Sequence, residues 1–473
     1  MLIEQIYTGC LAQGAYYIES DGEAVLIDPL REIQPYIEKA NRNRAVIKYV
    51  FETHFHADFV SGHIDLARAT GATIVYGPGA QPGFEAHVAK DAEEIKLGRV
   101  SFKVLHTPGH TPESSCYLLK DETGKETALF TGDTLFIGDV GRPDLAQKII
   151  PGLTPNKLAG YLFDSLRTKI LPLADDIIVY PAHGAGSACG KNMSEQTTDT
   201  LGHQKASNYA LRSNMKKEEF IKEVLEGLVE PPAYFPLNVL MNRQGYDSIA
   251  EVIRRGTQAL DPDAFEAAAN STGAILLDTR NAETFASGFI PNSINIGIDG
   301  NFAPWAGALI PDIKQPILLI TGEGREEEVV TRLARVGFDR SIGYLKGGFS
   351  AWKKAGKQTD KILSVTAAEL ADSNIAGSGA SIVDVRKKSE YDAEHIAGAI
   401  NAPLDFLNDS MQLLNKDKTS YVHCAGGYRS MIFISSLRAR GFDKLVNITG
   451  GFKAVKESNL FNITDYVRPT TAL

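Results

Sequence analysis

The C-terminal part of this chain repeats itself, and that repeat constrains the fold more than any other feature. Ile275-Leu276-Leu277-Asp278-Thr279-Arg280 matches Ser381-Ile382-Val383-Asp384-Val385-Arg386 at an offset of 106, and Ile290, Ile294 and Asn295 match Ile396, Ile400 and Asn401 at the same offset. Gly337-Phe338 matches Gly441-Phe442 and Gly347-Gly348-Phe349 matches Gly450-Gly451-Phe452, at offsets of 104 and 103. A period this long is a duplicated domain, not a stacked solenoid unit. Each copy alternates strand-like and helix-like runs, which implies two small parallel-sheet α/β domains. At roughly 150 residues per domain, the 473 residues leave room for one larger unit ahead of the pair. We place the three units at 1–260, 261–360 and 361–473.

Composition narrows the function classes. With 43% hydrophobic and 23% charged residues the chain reads as globular, and its net charge of -9 without a long basic run gives no general hold on nucleic acid or anionic lipid. No stretch reaches the length of apolar residues a membrane span needs, and the first residues carry Glu4 and no leader pattern. Cys10, Cys116, Cys189 and Cys424 lie far apart and form no CxxC pair. A reducing, cytoplasmic setting is therefore expected. Eight of the ten histidines precede residue 204, so metal or proton chemistry is expected in the first unit.

That unit opens with two apolar runs, Ala15 to Ser20 and Ala24 to Ile27, separated by the turn dipeptide Asp21-Gly22. Short strand-like runs then empty into histidine- or aspartate-bearing loops: Ala45 to Phe51 into His54-Phe55-His56-Ala57-Asp58, Val100 to Leu105 into His106 to Thr111, Thr127 to Phe130 into Asp133, and Asp176 to Tyr180 into His183. One such histidine is ordinary. Four elements with the same strand-then-loop context point to a metal centre supported on strand ends. From about Ser207 to Gly227 a long helical pattern is expected to close the unit.

The loop series resembles the metallo-β-lactamase superfamily over roughly residues 1 to 240, which implies an αββα sandwich. Phe59 stands where that superfamily's second-metal histidine would be, and phenylalanine cannot ligate. The branch most similar to this pattern is the persulfide dioxygenase group, which implies one ferrous ion per chain held by His54, His110 and Asp133. Two imidazoles and a carboxylate leave open positions for substrate and dioxygen. His56, Asp58 and His183 are then expected behind the ligands, fixing their orientation. The loop Gly138 to Asp144 resembles the glycine-arginine loop of that group, and its Arg142 is a candidate for holding Asp139, Asp144 or a substrate carboxylate. Cys189 follows His183 by six residues and is a candidate second sulfur carrier.

In the last domain a strand-like run ends in Cys424, followed by Ala425-Gly426-Gly427-Tyr428-Arg429-Ser430 and a helix beginning near Ser430. Loop N–H groups, Arg429 and the positive helix end suit a thiolate or persulfide anion, and each unit of lowered thiol pKa corresponds to about 1.4 kcal/mol. The loop and the flanking Asp384-Val385-Arg386 and Gly450-Gly451-Phe452 resemble the rhodanese domain. A protein phosphatase of the same fold is the rival, but Arg429 lies only five positions beyond Cys424, and the smaller loop favours sulfane sulfur over phosphate. In the first copy we align Ile320 with the cysteine, and the glutamates at 323 and 326 to 328 disfavour anions, so that domain is expected to be an inactive spacer or docking platform.

These resemblances imply oxidation of a low-molecular-weight persulfide with O2 to sulfite, and sulfur transfer through Cys424 to sulfite, giving thiosulfate. A small homo-oligomer is expected, with no nucleic-acid or membrane partner. Two competitors remain: a zinc thioester hydrolase of the glyoxalase II type with a separately acting tail, and a non-enzymatic sulfur-relay scaffold.

Overall fold

The structure is a computed structural model describing residues 1–145, 152–373 and 379–468. Its contacts divide into two units, Met1–Ile249 with Ala334–Gly337, and Ala250–Leu333 with Phe338–Leu473.

The first unit contains two six-stranded sheets. One runs in the order β1 (Leu2–Thr8), β2 (Gln13–Ser20), β3 (Glu23–Ile27), β4 (Val46–Phe51), β5 (Thr73–Tyr76) and β6 (His87–Val88). In the other, β7 (Glu94–Leu97), β8 (Val100–His106), β9 (Ser115–Lys120), β10 (Glu126–Gly132), β11 (Ile178–Pro181) and β12 (Asp199–Thr200) are also neighbours in chain order. The β2–β3 hairpin turns on Asp21 and Gly22, both with positive φ, the geometry that matches strand twist.

Strand alternation then builds four layers. Tyr16, Ile18, Val25 and Ile27 face Phe102, Tyr117, Leu119 and Phe130 from the other sheet, forming the central core. On the opposite face of the first sheet, Tyr17, Leu26 and Val50 pack on Tyr36, Ala40 and Leu66 from helices Gln34–Asn43 and His63–Thr70. Leu105, Leu118 and Leu129 similarly pack on Leu158's neighbours Ala159 and Leu162 and on Phe220. This is the αββα sandwich. Each fully buried side chain of this size contributes about 1.5–3 kcal/mol relative to exposure.

The long helix expected over Ser207 to Gly227 is broken. One helix ends at Ser207, a short turn covers Tyr209–Leu211, and a second helix runs Lys217–Leu225. Asn208 is the physical reason: it adopts extended backbone, and its side-chain oxygen accepts from the Ala210 N–H, competing with helix continuation.

The second unit holds two five-stranded parallel sheets of identical order. The first is β13 (Ala259–Leu260), β17 (Ser341–Leu345), β16 (Ile317–Ile320), β14 (Ile275–Asp278) and β15 (Ile294–Asn295). The second is β18 (Leu363–Val365), β22 (Leu445–Ile448), β21 (Ser420–His423), β19 (Ser381–Asp384) and β20 (Ile400–Asn401). Ala259 and Leu260 pair with β17, so they belong to the first of these sheets.

The repeated Asp-x-Arg landmark is a brace. Arg280 forks onto Asp278 and donates to the Gly288 carbonyl, and Arg386 forks onto Asp384 and donates to the Glu394 carbonyl. The register corrects one alignment. Asp278 pairs with Ile320 and Asp384 with His423, so the residue equivalent to Cys424 is Thr321 and not Ile320. Strand pairing counts residues from the strand, whereas the sequence match across a gap of changing offset misplaced the loop by one.

Candidate functional site

Strands β8, β10 and β11 run in one direction, because β10 pairs parallel with β11 and antiparallel with β9, which is antiparallel to β8. Their C-terminal ends therefore bring His110, Asp133 and His183 to one rim, where the end of β4 adds His54. Gly132 lets the two sheets close there: a Cβ on it would lie 2.5 Å from the Thr53 hydroxyl oxygen.

His54, His110 and Asp133 are buried, and one donor atom from each lies within 4.8 Å of the others. His110 Nε2 is 3.4 Å and His54 Nε2 3.9 Å from Asp133 Oδ2. The hydrogen-bond network assigns the tautomers. The Thr53 hydroxyl donates to Asp28, so His54 Nδ1–H donates to Thr53 Oγ1 at 3.0 Å. His110 Nδ1–H donates to the Arg142 carbonyl at 2.9 Å. Both Nε2 lone pairs are thereby aimed inward. His54 Nε2 and Asp133 Oδ2 are buried without a hydrogen-bond partner, so their lone pairs are free to hold a cation. The donor set fits one cation.

Asp133 has its other oxygen on His183 Nδ1 at 2.8 Å, and His183 Nε2 reaches Asp58 Oδ2 at 2.9 Å. Burial alone would lower the His183 pKa, but the two carboxylates outweigh it and push it up to about 10, so the ring donates from both nitrogens. Cys189 lies beside this pair, its thiol within 4.8 Å of donor atoms of Asp58 and His183. Burial, then the charges of Asp58 and Asp133, hold its pKa well above the usual thiol range.

His56 packs its ring against His54, with centroids 4.2 Å apart, but aims its Nε2 at other partners. Its Nε2 lies 3.0 Å from Asp28 Oδ1 and 3.4 Å from Glu52 Oε2, and its ring packs on Phe59 with centroids 4.3 Å apart. Asp28 and Glu52 were not found from sequence. The available signal was a carboxylate immediately past each of two apolar strands, β3 and β4.

The Gly138 to Asp144 loop meets Asp133 and His110 through its backbone. Gly141 N–H donates to the Asp133 carbonyl at 3.0 Å, and a Cβ on Gly141 would lie 2.0 Å from that oxygen. The Arg142 guanidinium is taken up by Asp144, with two bonds of 2.7 Å, and by the Ala188 and Val229 carbonyls. It is buried and occupied, so of the expected roles the structure places it on Asp144. A cavity of about 490 Å³ reaches His110, with Phe55, Ala57, Glu113, Val239 and Arg243 among its walls.

In the second unit, Cys424 follows β21, and the helix begins at Tyr428, two residues earlier than expected. The Gly427 N–H donates to Cys424 Sγ at 3.1 Å, with Gly427 itself at φ +110°, and Ser430 Oγ lies 3.7 Å from the sulfur. Arg429 forks onto Glu390 instead of the thiol. Ser430 and the Glu390 clamp were missed because both depend on side-chain direction.

Residues 8–183 match the family described as the Metallo-beta-lactamase superfamily, and residues 261–355 and 366–458 match the Rhodanese-like domain. Hydroxyacylglutathione hydrolase GloC of Haemophilus influenzae is 30% identical over 236 residues, covering 45% of this chain and 99% of that protein. Human persulfide dioxygenase ETHE1, a mitochondrial protein, is 30% identical over 204 residues, covering 42% of this chain and 70% of its own. A crystal structure of a metallo-beta-lactamase from Staphylococcus aureus subsp. aureus COL matches with a TM-score of 0.64 at 32% identity, covering 73% of this chain and 99% of that one. The chain belongs to the metallo-β-lactamase superfamily. It spans only about 60% of the length of several further curated relatives.

This metallo-β-lactamase superfamily member carries its two rhodanese-like domains as unequal copies. At the offset of 103 set by the strand register, Thr321 stands for Cys424, Gly324 for Gly427 and Glu326 for Arg429. In the first copy the Thr321 hydroxyl and the Gly324 N–H both donate to Glu326 Oε1, at 3.2 and 3.3 Å. A carboxylate of the chain itself fills the place where the other copy presents sulfur. Among the described residues, no helix of the superfamily member is long and apolar enough to cross a membrane.

Proposed function

We propose that this protein is a non-heme iron persulfide dioxygenase coupled to a sulfurtransferase. The first reaction is RSSH + O2 + H2O giving RSH and sulfite with two protons; the second passes a sulfane sulfur through Cys424 to sulfite, giving thiosulfate. The single observation that carries the first half is the placement of His56 on Asp28 and Glu52, with Phe59 against it, leaving three inward donors, His54, His110 and Asp133. Three protein donors leave coordination room for two reactants, which a dioxygenase needs. Fe(II) held there supplies the redox chemistry that joins O2 to the terminal sulfur.

The chain's own residues do the rest. His183 Nδ1–H donates to Asp133 and holds it in position. The largely apolar wall of Phe55, Ala57 and Val239 excludes water while Arg243 and Glu113 provide polar ends for the carrier thiol's remaining groups. At Cys424 the thiolate attacks the donor's sulfane sulfur, the donor leaves as a thiolate, and the Gly427 N–H steadies the resulting Cys-S-S⁻ until sulfite attacks its outer sulfur. Likeness to the human persulfide dioxygenase supports this reading.

A second reading, a zinc thioester hydrolase, is favoured by the full-length match to GloC. Metal analysis of the purified protein with oxygen uptake on glutathione persulfide separates them. Near one iron per chain and one O2 consumed per persulfide is the expected result; two zinc ions and oxygen-independent thioester hydrolysis would overturn it.

A further inference from the structure

The middle rhodanese-like domain has no cysteine in its loop, yet two of its glycines are shaped around a residue of the loop that does. Tyr428, the residue between Gly427 and Arg429, lays its ring over Gly297 and Gly300, and its hydroxyl donates to the Gly297 carbonyl at 2.8 Å. A Cβ on Gly300 would lie 2.4 Å from the Tyr428 ring, and one on Gly297 3.2 Å. Neither glycine has left-handed backbone, so conformational freedom is not the reason either position is glycine. At the offset of 106 the other copy has Pro403 and Phe406 at these places. The notch exists only in the copy that receives the tyrosine.

The same helix is fastened to the middle domain further along. The Asn295 N–H donates to Ser435 Oγ at 2.9 Å, and Arg438 at the helix end pairs with Asp360. Tyr428 is thus the first of three anchors, and it adjoins the residue whose N–H meets Cys424 Sγ at 3.1 Å. The position of that N–H depends on where Gly427 sits at φ +110°, a conformation with little intrinsic preference over its neighbours for glycine.

We propose that the middle domain is a positioning element for the Cys424 thiol: its Gly297–Gly300 notch holds Tyr428 and thereby keeps the Gly427 N–H on the sulfur. Tyr428 is a positioning residue, acting through Gly427. The inference rests on reading Cys424 as the sulfur carrier, but its test does not require sulfur transfer. In the full chain, the rate of Cys424 alkylation by iodoacetamide is measured against pH, with mass spectrometry of the Cys424 peptide, for wild type, Tyr428→Phe, Tyr428→Ala and Gly300→Ser. The midpoint is expected to rise by about one pH unit in Tyr428→Ala and Gly300→Ser, a roughly tenfold loss of thiolate below both midpoints. Tyr428→Phe, which keeps the ring and loses the hydroxyl, is expected to fall between. Thiosulfate formation should drop in the same order, with thermal midpoints held near wild type in Tyr428→Phe and Gly300→Ser. Unchanged alkylation midpoints in those two variants would overturn the proposal, whatever happens to Tyr428→Ala. Sulfur transfer surviving in Cys424→Ser would instead overturn the carrier reading.

Discussion

Asp133 ties the candidate metal site together, since one of its oxygens faces His54 and His110 and the other is held by His183. Asp133→Ala is expected to cut bound metal at least about tenfold, because two neutral imidazoles remain without the anionic donor; metal content at the wild-type level would remove Asp133 from the ligand set. His183→Ala is expected to cost about 10–100-fold in metal affinity or activity, as for other residues that orient a ligand. Its measure is competition with a chelator. At the other site, Cys424→Ser should abolish thiosulfate formation from added sulfite and spare oxygen uptake. Equal thiosulfate yield from that variant would defeat the assignment.

The two rhodanese-like loops are one structural element with opposite electrostatics. In one, an N–H meets a sulfur and the arginine forks onto Glu390; in the other, a hydroxyl and an N–H meet Glu326. Thr321→Cys alone, in a Cys424→Ser background, is therefore expected to yield no sulfur transfer, because Glu326 would face the new thiol with like charge. Adding Glu326→Arg should make the new thiol alkylate faster at neutral pH, and an unchanged rate would show that the carboxylate is not what silences the loop. The Glu390–Arg429 fork carries its own pH signature. Burial raises the Glu390 carboxyl but the Arg429 fork outweighs it, leaving the folded pKa below the unfolded value. The stabilisation is then present above about pH 4.5, the usual glutamate value, and fades as pH falls through the lower folded pKa. Denaturation curves of wild type and Glu390→Gln should differ at pH 6 and converge in acid; a gap that widens in acid would reverse the sign of the argument.

For the whole molecule, the metal centre and the thiol loop lie in different compact units, so stripping metal is expected to stop oxygen uptake and leave transfer of sulfur from an added persulfide to sulfite within about twofold. Loss of both together would mean that the ion holds more than its own unit. The duplication, the strands and the histidine-bearing loops could be read from the chain because each is local: a hydrophobic period of two, a turn dipeptide such as Asp21-Gly22, or a landmark recurring at a constant offset survives in one dimension. That His54, His110 and Asp133 come together, and that Cys424 opens a loop at a strand end, was legible for the same reason, since each follows a strand closely in sequence. What tertiary structure alone decided was direction. Whether His56 points to the metal or to Asp28 and Glu52, whether Arg429 serves the thiol or Glu390, that Thr321 and not Ile320 answers to Cys424, and that Gly300 is cut to the shape of Tyr428 all depend on which side chains meet across distant segments. Those meetings are set by strand register and packing, and neither is written at any one position in the chain.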